Sequence, residues 1–226
     1  MTFSSNRRHR RALLQAAGSA AVLGSTGMFG LIRQALAAGE ASLAQGIHHH
    51  SGNVTVNGRP ATQGMRIQPG DTLVTETASE AVYVVGQDAF MQRADSRVSF
   101  GDSAAAGVLR IVSGRLLSVF GKGERNIVTP TATIGIRGTG CYIEAESERV
   151  YFCLCYGEAN LVPTMAPAEQ ELIRTTHHDH PLYIHNDMKM PKMMVPADVI
   201  NHTDAELTLL ESLVGRIPPF AGGKKY

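Results

Sequence analysis

The stretch CYIEAESERVYFCLCY, residues 141–156, indicates the fold of the chain most directly. Two short β-like runs flank a polar pair at its middle, as two strands flank the turn of a hairpin. Because side chains two residues apart on a strand share a face, Cys153 and Cys155 project together. Cys141 lies opposite them on the partner strand. A one-residue difference in register decides whether its sulfur joins theirs or points to the other face.

Further β-like runs lie outward from this hairpin, between residues 52 and 162, and glycine, proline, aspartate or asparagine separates them. The runs are 54–56, 72–75, 81–85, 97–100, 108–112, 116–120, 126–129, 141–146 and 150–156. Asn57-Gly58 and Pro69-Gly70 are typical of tight turns between strands. Strand-sized runs at short intervals predict an all-β domain, built as a sandwich, a barrel or a solenoid.

An ordered series of motifs in this region resembles the FecR domain family. The motifs are VNG (56–58), IQPGD (67–71), AVY (81–83), LRIVSG (109–114), TPTATIGIRGT (129–139) and YGEA (156–159). The resemblance covers roughly residues 50–162 and implies a periplasmic, solenoid-like or sandwich-like domain used for protein contacts in signalling or envelope processes. The FecR family has no catalytic residues that the resemblance could assign to this chain. Gly135, Gly138 and Gly140 form a G-x-x-G-x-G pattern, but β-like residues follow them, so we expect a glycine bulge or a close backbone turn and not a phosphate loop.

Residues 1–37 are predicted to be an export signal. Arg10-Arg11 followed by apolar residues resembles the twin-arginine motif, and Ala35-Leu36-Ala37 predicts cleavage before Ala38. Retention of the apolar run as a membrane helix is the alternative. We expect a periplasmic protein with no stable membrane span after cleavage. FecR-type regulators of iron uptake have a sigma-factor-binding segment and a membrane helix in this place, so the resemblance does not extend to that role.

The charge of the chain is divided unevenly. The formal net charge is +1, but residues 1–37 contain five arginines and no acidic residue, which leaves 16 basic and 20 acidic side chains in the remainder, a balance of −4. A mildly acidic body lacks the basic surface that nucleic-acid binding requires. We therefore expect no nucleic-acid partner.

The three cysteines allow two interpretations. In an oxidising compartment Cys141 pairs with one of the other two, which leaves one free thiol. Alternatively, Cys141, Cys153 and Cys155 form a metal or redox site together with His178 and His180, which would share a face of an extended segment. Sulfur and imidazole donors suit zinc or iron, and the four methionines between residues 188 and 194 would favour reduced copper. The three consecutive histidines at positions 48–50 are interpreted as part of a solvated segment.

The carboxy-terminal region predicts one short helix near residues 203–214. Thr203 and Glu206 form a capping box, Leu207 and Leu210 begin an apolar stripe, and Gly215 is placed to end the helix. We expect the helix to dock on the β domain. The predicted organisation is an export signal (1–37), a FecR-like β domain (48–163) and an extension with a His/Met-rich segment (164–226).

The sequence contains no H-E-x-x-H, no G-x-S-x-G and no nucleophile–base set that spacing specifies. We therefore predict a non-catalytic binding or interaction protein of the cell envelope, whose partner is an envelope protein or a small ligand. The alternative is a metal-binding or redox protein that uses the cysteine and histidine cluster.

Overall fold

The computed structural model of the chain describes residues 43–101 and 108–222, so the predicted export signal lies outside the described residues. Within these ranges there are fourteen strands. They are β1 (Gly46–Ser51), β2 (Val54–Val56), β3 (Arg59–Pro60), β4 (Thr72–Thr75), β5 (Glu80–Val85), β6 (Asp88–Gln92), β7 (Ser96–Phe100), β8 (Val108–Val119), β9 (Glu124–Val128), β10 (Ala132–Ala145), β11 (Arg149–Pro163), β12 (Glu171–Thr175), β13 (Leu182–His185) and β14 (Met194–Pro196). The predicted all-β class is confirmed.

The strands belong to one hydrogen-bonded sheet whose main path runs β14-β13-β11-β10-β9-β8-β7-β4-β2-β3. The long strands change partners along their length. The first part of β8 pairs with β7 and its second part pairs with β6, while β11 pairs first with β13 and then with β12. Almost every pairing is antiparallel, and β8 with β9 is parallel. These branches allow a sheet of this size to fold over rather than extend flat.

One apolar cluster fills the inside of the folded sheet. It contains Val54 and Leu73 from one end of the strand order and Leu182 and Ile184 from the other. Residues from both ends of the strand order are therefore linked through one continuous buried core. The mostly β architecture with a short carboxy-terminal helix is as predicted, and over the described residues the sheet is not closed.

The opposite face of the central strands carries a second apolar cluster, which a helix covers. Helix α1 (Asp204–Leu213) begins after the N-cap Thr203, and both hydrogen bonds of the predicted capping box are present. Gly215 follows with φ of +67°, as expected for the residue that ends a helix. Leu207 and Leu210 are fully buried in this cluster, whose other members include residues of β5, β6, β8, β10 and β11, and the helix packs on β6 and β8. The predicted docking of the helix on the β domain is confirmed.

Most of the glycine-rich motif 129–139 lies in strand β10, and the predicted bulge is confirmed near its end. The register between β10 and β11 shifts between Arg137 and Gly140 and again before Cys141, and Gly138 has φ of +57°. At Gly140 a Cβ atom would lie 2.4 Å from the Tyr156 ring. A side chain at this position is therefore excluded by close packing against β11.

The predicted extension is also part of the sheet. Strand β12 pairs with the second half of β11, and β13 pairs with its first half and with β14. Within the described residues, no helix combines the length and the hydropathy needed to cross a membrane.

Candidate metal centre

Strand β11 presents its two cysteines, Cys153 and Cys155, on the outer face of the sheet. Cys153 pairs with Tyr142, and both belong to the outer apolar cluster with Cys155. Cys141 pairs with Leu154, and both belong to the inner cluster. The register therefore places Cys141 on the opposite face of the sheet from the other two cysteines. This corrects the prediction that Cys141 belongs to the ligand group. All three thiols are free and fully buried. Since Cys141 lies on the opposite face, a disulfide from it to either partner does not fit this sheet.

A tight turn after β12 carries His178 back over β11. Asp179 organises this turn, because its Oδ2 accepts hydrogen bonds from the backbone N–H of Thr176 at 2.9 Å and from that of His177 at 3.4 Å. These bonds hold the pKa of Asp179 below its usual range. His178 has φ of +53°, and its backbone N–H donates to the carbonyl of Cys155 at 3.0 Å. The imidazole consequently lies above the two outward-facing sulfurs.

A second imidazole comes from the residue immediately before the N-cap of α1. The ring of His202 stacks on that of Tyr142 with the centroids 4.7 Å apart, and its Nδ1 lies 2.6 Å from the carbonyl oxygen of Ile200. A carbonyl oxygen only accepts, so Nδ1 carries the proton. The Nε2 lone pair of His202 is thereby directed at His178.

These residues form one group of four donor atoms. The sulfurs of Cys153 and Cys155 and one nitrogen each of His178 and His202 all lie within 4.8 Å of one another. Nδ1 of His178 is 3.5 Å from the sulfur of Cys153 and 3.0 Å from Nε2 of His202. The four donors come from three elements, namely β11, the turn after β12 and the start of α1.

The other nitrogen of His178 faces a carboxylate. Its Nε2 lies 3.1 Å from Oδ1 of Asp204, in the first turn of α1. Although burial raises the pKa of Asp204, hydrogen bonds from His177 and His178 outweigh it and leave the pKa below its usual value. An ionised carboxylate only accepts, so in the neutral ring Nε2 of His178 carries the proton and Nδ1 has the lone pair. Two imidazole lone pairs then face each other at 3.0 Å. A cation between them, or a proton on one of them, resolves their repulsion.

The protonation of the thiols is also unusual. Hydrogen bonds from Cys155, and then from His178 and His202, outweigh burial and hold the pKa of the Cys153 thiol well below its usual range. Burial raises the pKa of Cys155, and the adjacent Cys153 raises it further. Burial alone lowers the pKa of His178, but its contacts with Cys153 and Asp204 leave it raised. The site thus favours a thiolate beside imidazoles, and a thiolate is the form of cysteine that binds metals.

His180 is outside this group, which corrects its predicted place beside His178. Its Nε2 lies 3.3 Å from Oε1 of Glu171, and the side chain is 43% exposed. The prediction assumed an extended segment, whereas the positive φ of His178 turns the chain and sends the two imidazoles in different directions. The methionines divide between core and surface, because Met193 is buried and Met188 is exposed.

His202 is the donor that the sequence reasoning missed. It lies 49 positions after Cys153 and has no spacing relationship to the cysteines or to the other histidines. The one available signal was its position directly before the capping box, which fixes it at the start of a helix. Only the docking of that helix on the outer face brings its imidazole to the sulfurs.

Comparisons with known proteins give similarity of fold alone. Two crystal structures, at 1.65 and 2.50 Å resolution, of a protein from Parabacteroides distasonis ATCC 8503 described as a "putative anti-sigma factor" each match with a TM-score of 0.46 and 8% sequence identity. Each match covers 56% of this chain and 59% of the other, so the chain spans little more than half the length of that protein. No protein-family model and no curated protein matches the chain. Membership of the FecR family stays a prediction from the motifs.

Proposed function

We propose that the chain is an exported, non-catalytic binding protein of the cell envelope that holds a tetrahedral transition-metal ion, zinc above all, between Cys153, Cys155, His178 and His202. The observation that carries the metal proposal is the 3.0 Å approach of Nδ1 of His178 to Nε2 of His202, with the sulfur of Cys153 3.5 Å from the same Nδ1. Each ring is oriented through its other nitrogen, by Asp204 and by the carbonyl of Ile200. Partners of this kind orient histidines that bind metals in proteins.

The donor spacing supports a tetrahedral ion. With Zn–S of about 2.3 Å and Zn–N of about 2.0–2.1 Å, tetrahedral geometry places two nitrogens about 3.3 Å apart and a sulfur and a nitrogen about 3.6 Å apart. The corresponding separations here are 3.0 Å for His178 to His202 and 3.5 Å for His178 to Cys153. Two sulfurs and two nitrogens in this arrangement are typical of zinc, and they also suit other soft or borderline metals.

Burial of the donors supports a structural centre and not a catalytic one. Cys153 and Cys155 are fully buried, and His202 is 8% exposed. Four protein ligands complete a tetrahedron, whereas catalytic zinc sites keep a position open for water or substrate. An ion here would join β11, the turn after β12 and the start of α1, and so would fasten the helix to the sheet.

The export and interaction parts of the proposal rest on the sequence. The twin-arginine motif supports transport across the inner membrane, and the FecR-like motifs support contacts with an envelope protein in signalling or assembly. Compartment-specific labelling of the untagged protein tests the location. Recovery of the mature form from the periplasm is expected, and a cytosolic product that keeps residues 1–37 would contradict it.

The metal proposal is tested on protein purified from its native compartment under non-oxidising conditions. We expect about one equivalent of zinc or a similar metal per chain in the wild type, and a large loss in His202→Ala, because a tetrahedral site then lacks one of its four donors. His180→Ala is the matched control, since it removes an imidazole from the turn but not from the donor group. Equal metal content in all three proteins, or none in the wild type, would refute the site.

A further inference from the structure

A second group of metal-binding side chains lies directly outside the buried donors. Nε2 of His177 is 2.9 Å from both carboxylate oxygens of Asp204, and Nε2 of His178 is 3.1 Å from one of them. One donor atom from each of these three residues lies within 4.8 Å of the others. His177 and Asp204 are 48% and 49% exposed, so this group faces solvent.

The His178 ring belongs to both groups. Its Nδ1 edge faces the sulfur of Cys153 and Nε2 of His202, and its Nε2 edge faces Asp204. The side chain is only 11% exposed and stands between the solvent and the fully buried sulfurs. An ion that reaches the thiolates from this side therefore meets His177 and Asp204 first.

We propose that His177, Asp204 and Nε2 of His178 form a loading site, which captures a divalent cation and delivers it past the His178 ring to the buried donors. This inference rests on the proposed metal centre. Two nitrogens and a carboxylate oxygen suit borderline divalent ions such as zinc, cobalt and copper(II). They form the weaker and more exchangeable site, because solvent screens and competes with exposed donors.

The two positions of the ion exclude each other, because a neutral imidazole has one lone pair. With the ion on Nε2 of His178, the ring proton is on Nδ1 and is donated to Nε2 of His202. With the ion on Nδ1, the proton is on Nε2 and is donated to Asp204. As the ion moves, Nδ1 of His178 releases its proton to solvent and Nε2 takes one up, so the ring stays neutral. Cys153 binds as the thiolate, and the thiol proton of Cys155 leaves to solvent as its sulfur binds. In both states the protonated nitrogen of the His178 ring has a hydrogen-bond acceptor. The ion therefore moves from the outer site to the buried one, and each chain binds one ion in total.

Stopped-flow loading with Co²⁺ tests the inference, because thiolate-to-cobalt absorption in the near ultraviolet reports arrival at the cysteines. We expect His177→Ala to slow loading roughly tenfold, since the capture of the ion next to the buried site is lost. Removal of the bound ion by excess chelator is expected to slow by the same factor, which leaves the dissociation constant unchanged. His180→Ala is the matched control and is expected to load as the wild type does.

The alternatives give different results. If His177 only shields the buried site, the alanine variant loads faster; if it only supports the fold through its contact with Phe220, the dissociation constant changes. Either result, or unchanged loading, overturns the loading site and leaves the buried centre standing. Absence of cobalt–thiolate absorption in the wild type would refute both the loading site and the buried centre. His177→Gln repeats the test with a side chain of similar reach and guards against misfolding of the alanine variant.

Discussion

Replacing the two kinds of buried cysteine, one at a time, separates the metal centre from ordinary core packing. Cys153 and Cys141 lie on adjacent strands and are both fully buried, but they face opposite sides of the sheet. Cys153→Ala removes a proposed ligand, and Cys141→Ala removes a sulfur from the inner apolar cluster. Truncation costs each variant about 1 kcal/mol of unfolding free energy. The informative quantity is therefore the extra stability that each protein gains from zinc.

The expected gain follows from the linkage between binding and folding. At a free zinc concentration one hundred times the dissociation constant, the wild type gains about 2.7 kcal/mol. At roughly 2–4 °C per kcal/mol for a domain of this size, its melting temperature rises by roughly 5–11 °C. Loss of an outer hydrogen-bond partner of a ligand weakens metal binding by roughly 10–100-fold, so loss of a ligand itself is expected to weaken it by about a hundredfold or more. At the same zinc concentration, Cys153→Ala then gains at most RT ln 2, about 0.4 kcal/mol, and its melting temperature rises by roughly 1–2 °C.

Calorimetry or circular dichroism with and without zinc, in the presence of a non-chelating reductant, measures these increments. Cys141→Ala is expected to keep the full wild-type gain, although its melting temperature without zinc is lower. The reasoning is refuted if Cys141→Ala loses the zinc increment and Cys153→Ala keeps it. It is also refuted if zinc stabilises neither variant nor the wild type.

Two further predictions concern the scaffold that holds the site. Gly140→Ala is expected to cost roughly 1–3 kcal/mol, because its Cβ would lie 2.4 Å from the ring of the buried Tyr156, whereas Gly135→Ala, whose Cβ comes no nearer than 3.7 Å to another group, is expected to cost nothing. Urea unfolding measures both, and equal losses would contradict the packing argument. Leu210→Ala is expected to lower the free energy of unfolding by about 2–5 kcal/mol and to weaken zinc binding, since a loosened helix no longer holds His202 at the sulfurs. Thr208→Ala, at an exposed position of the same helix, is expected to stay near the wild type. Full zinc affinity in Leu210→Ala would show that the site does not depend on helix docking.

Much of the fold could be predicted from local sequence. The run at 72–75 is strand β4, the capping box places α1, and the pair of runs between 141 and 156 is the hairpin of β10 and β11. In these segments the local signal and the tertiary environment agree. Strands β1, β3, β6 and β12 to β14 were not predicted, because their short polar-containing sequences become strands only by pairing with neighbours already in the sheet. The histidine triplet 48–50, interpreted from the sequence as a solvated segment, lies within β1 and pairs with β5.

The candidate site could be predicted only in part, for two physical reasons. The face of Cys141 depends on the bulge at Gly138 to Gly140, and a shift of one register position reverses every side chain of a strand. The direction of His178 depends on a positive φ that the Asp179-centred turn imposes. Local sequence patterns specify neither the face of Cys141 nor the direction of the His178 side chain. His202 joins the group only because α1 docks on strands that are distant in the sequence.

The central claim is that two sulfurs of β11 and two imidazoles from later segments bind one ion. X-ray absorption at the zinc edge of the loaded wild-type protein tests it most directly, since sulfur and nitrogen ligands differ in distance. The account predicts two sulfurs at about 2.3 Å and two imidazole nitrogens at about 2.0–2.1 Å. A spectrum with three sulfurs, which would require Cys141, or with nitrogen and oxygen ligands alone, would contradict it.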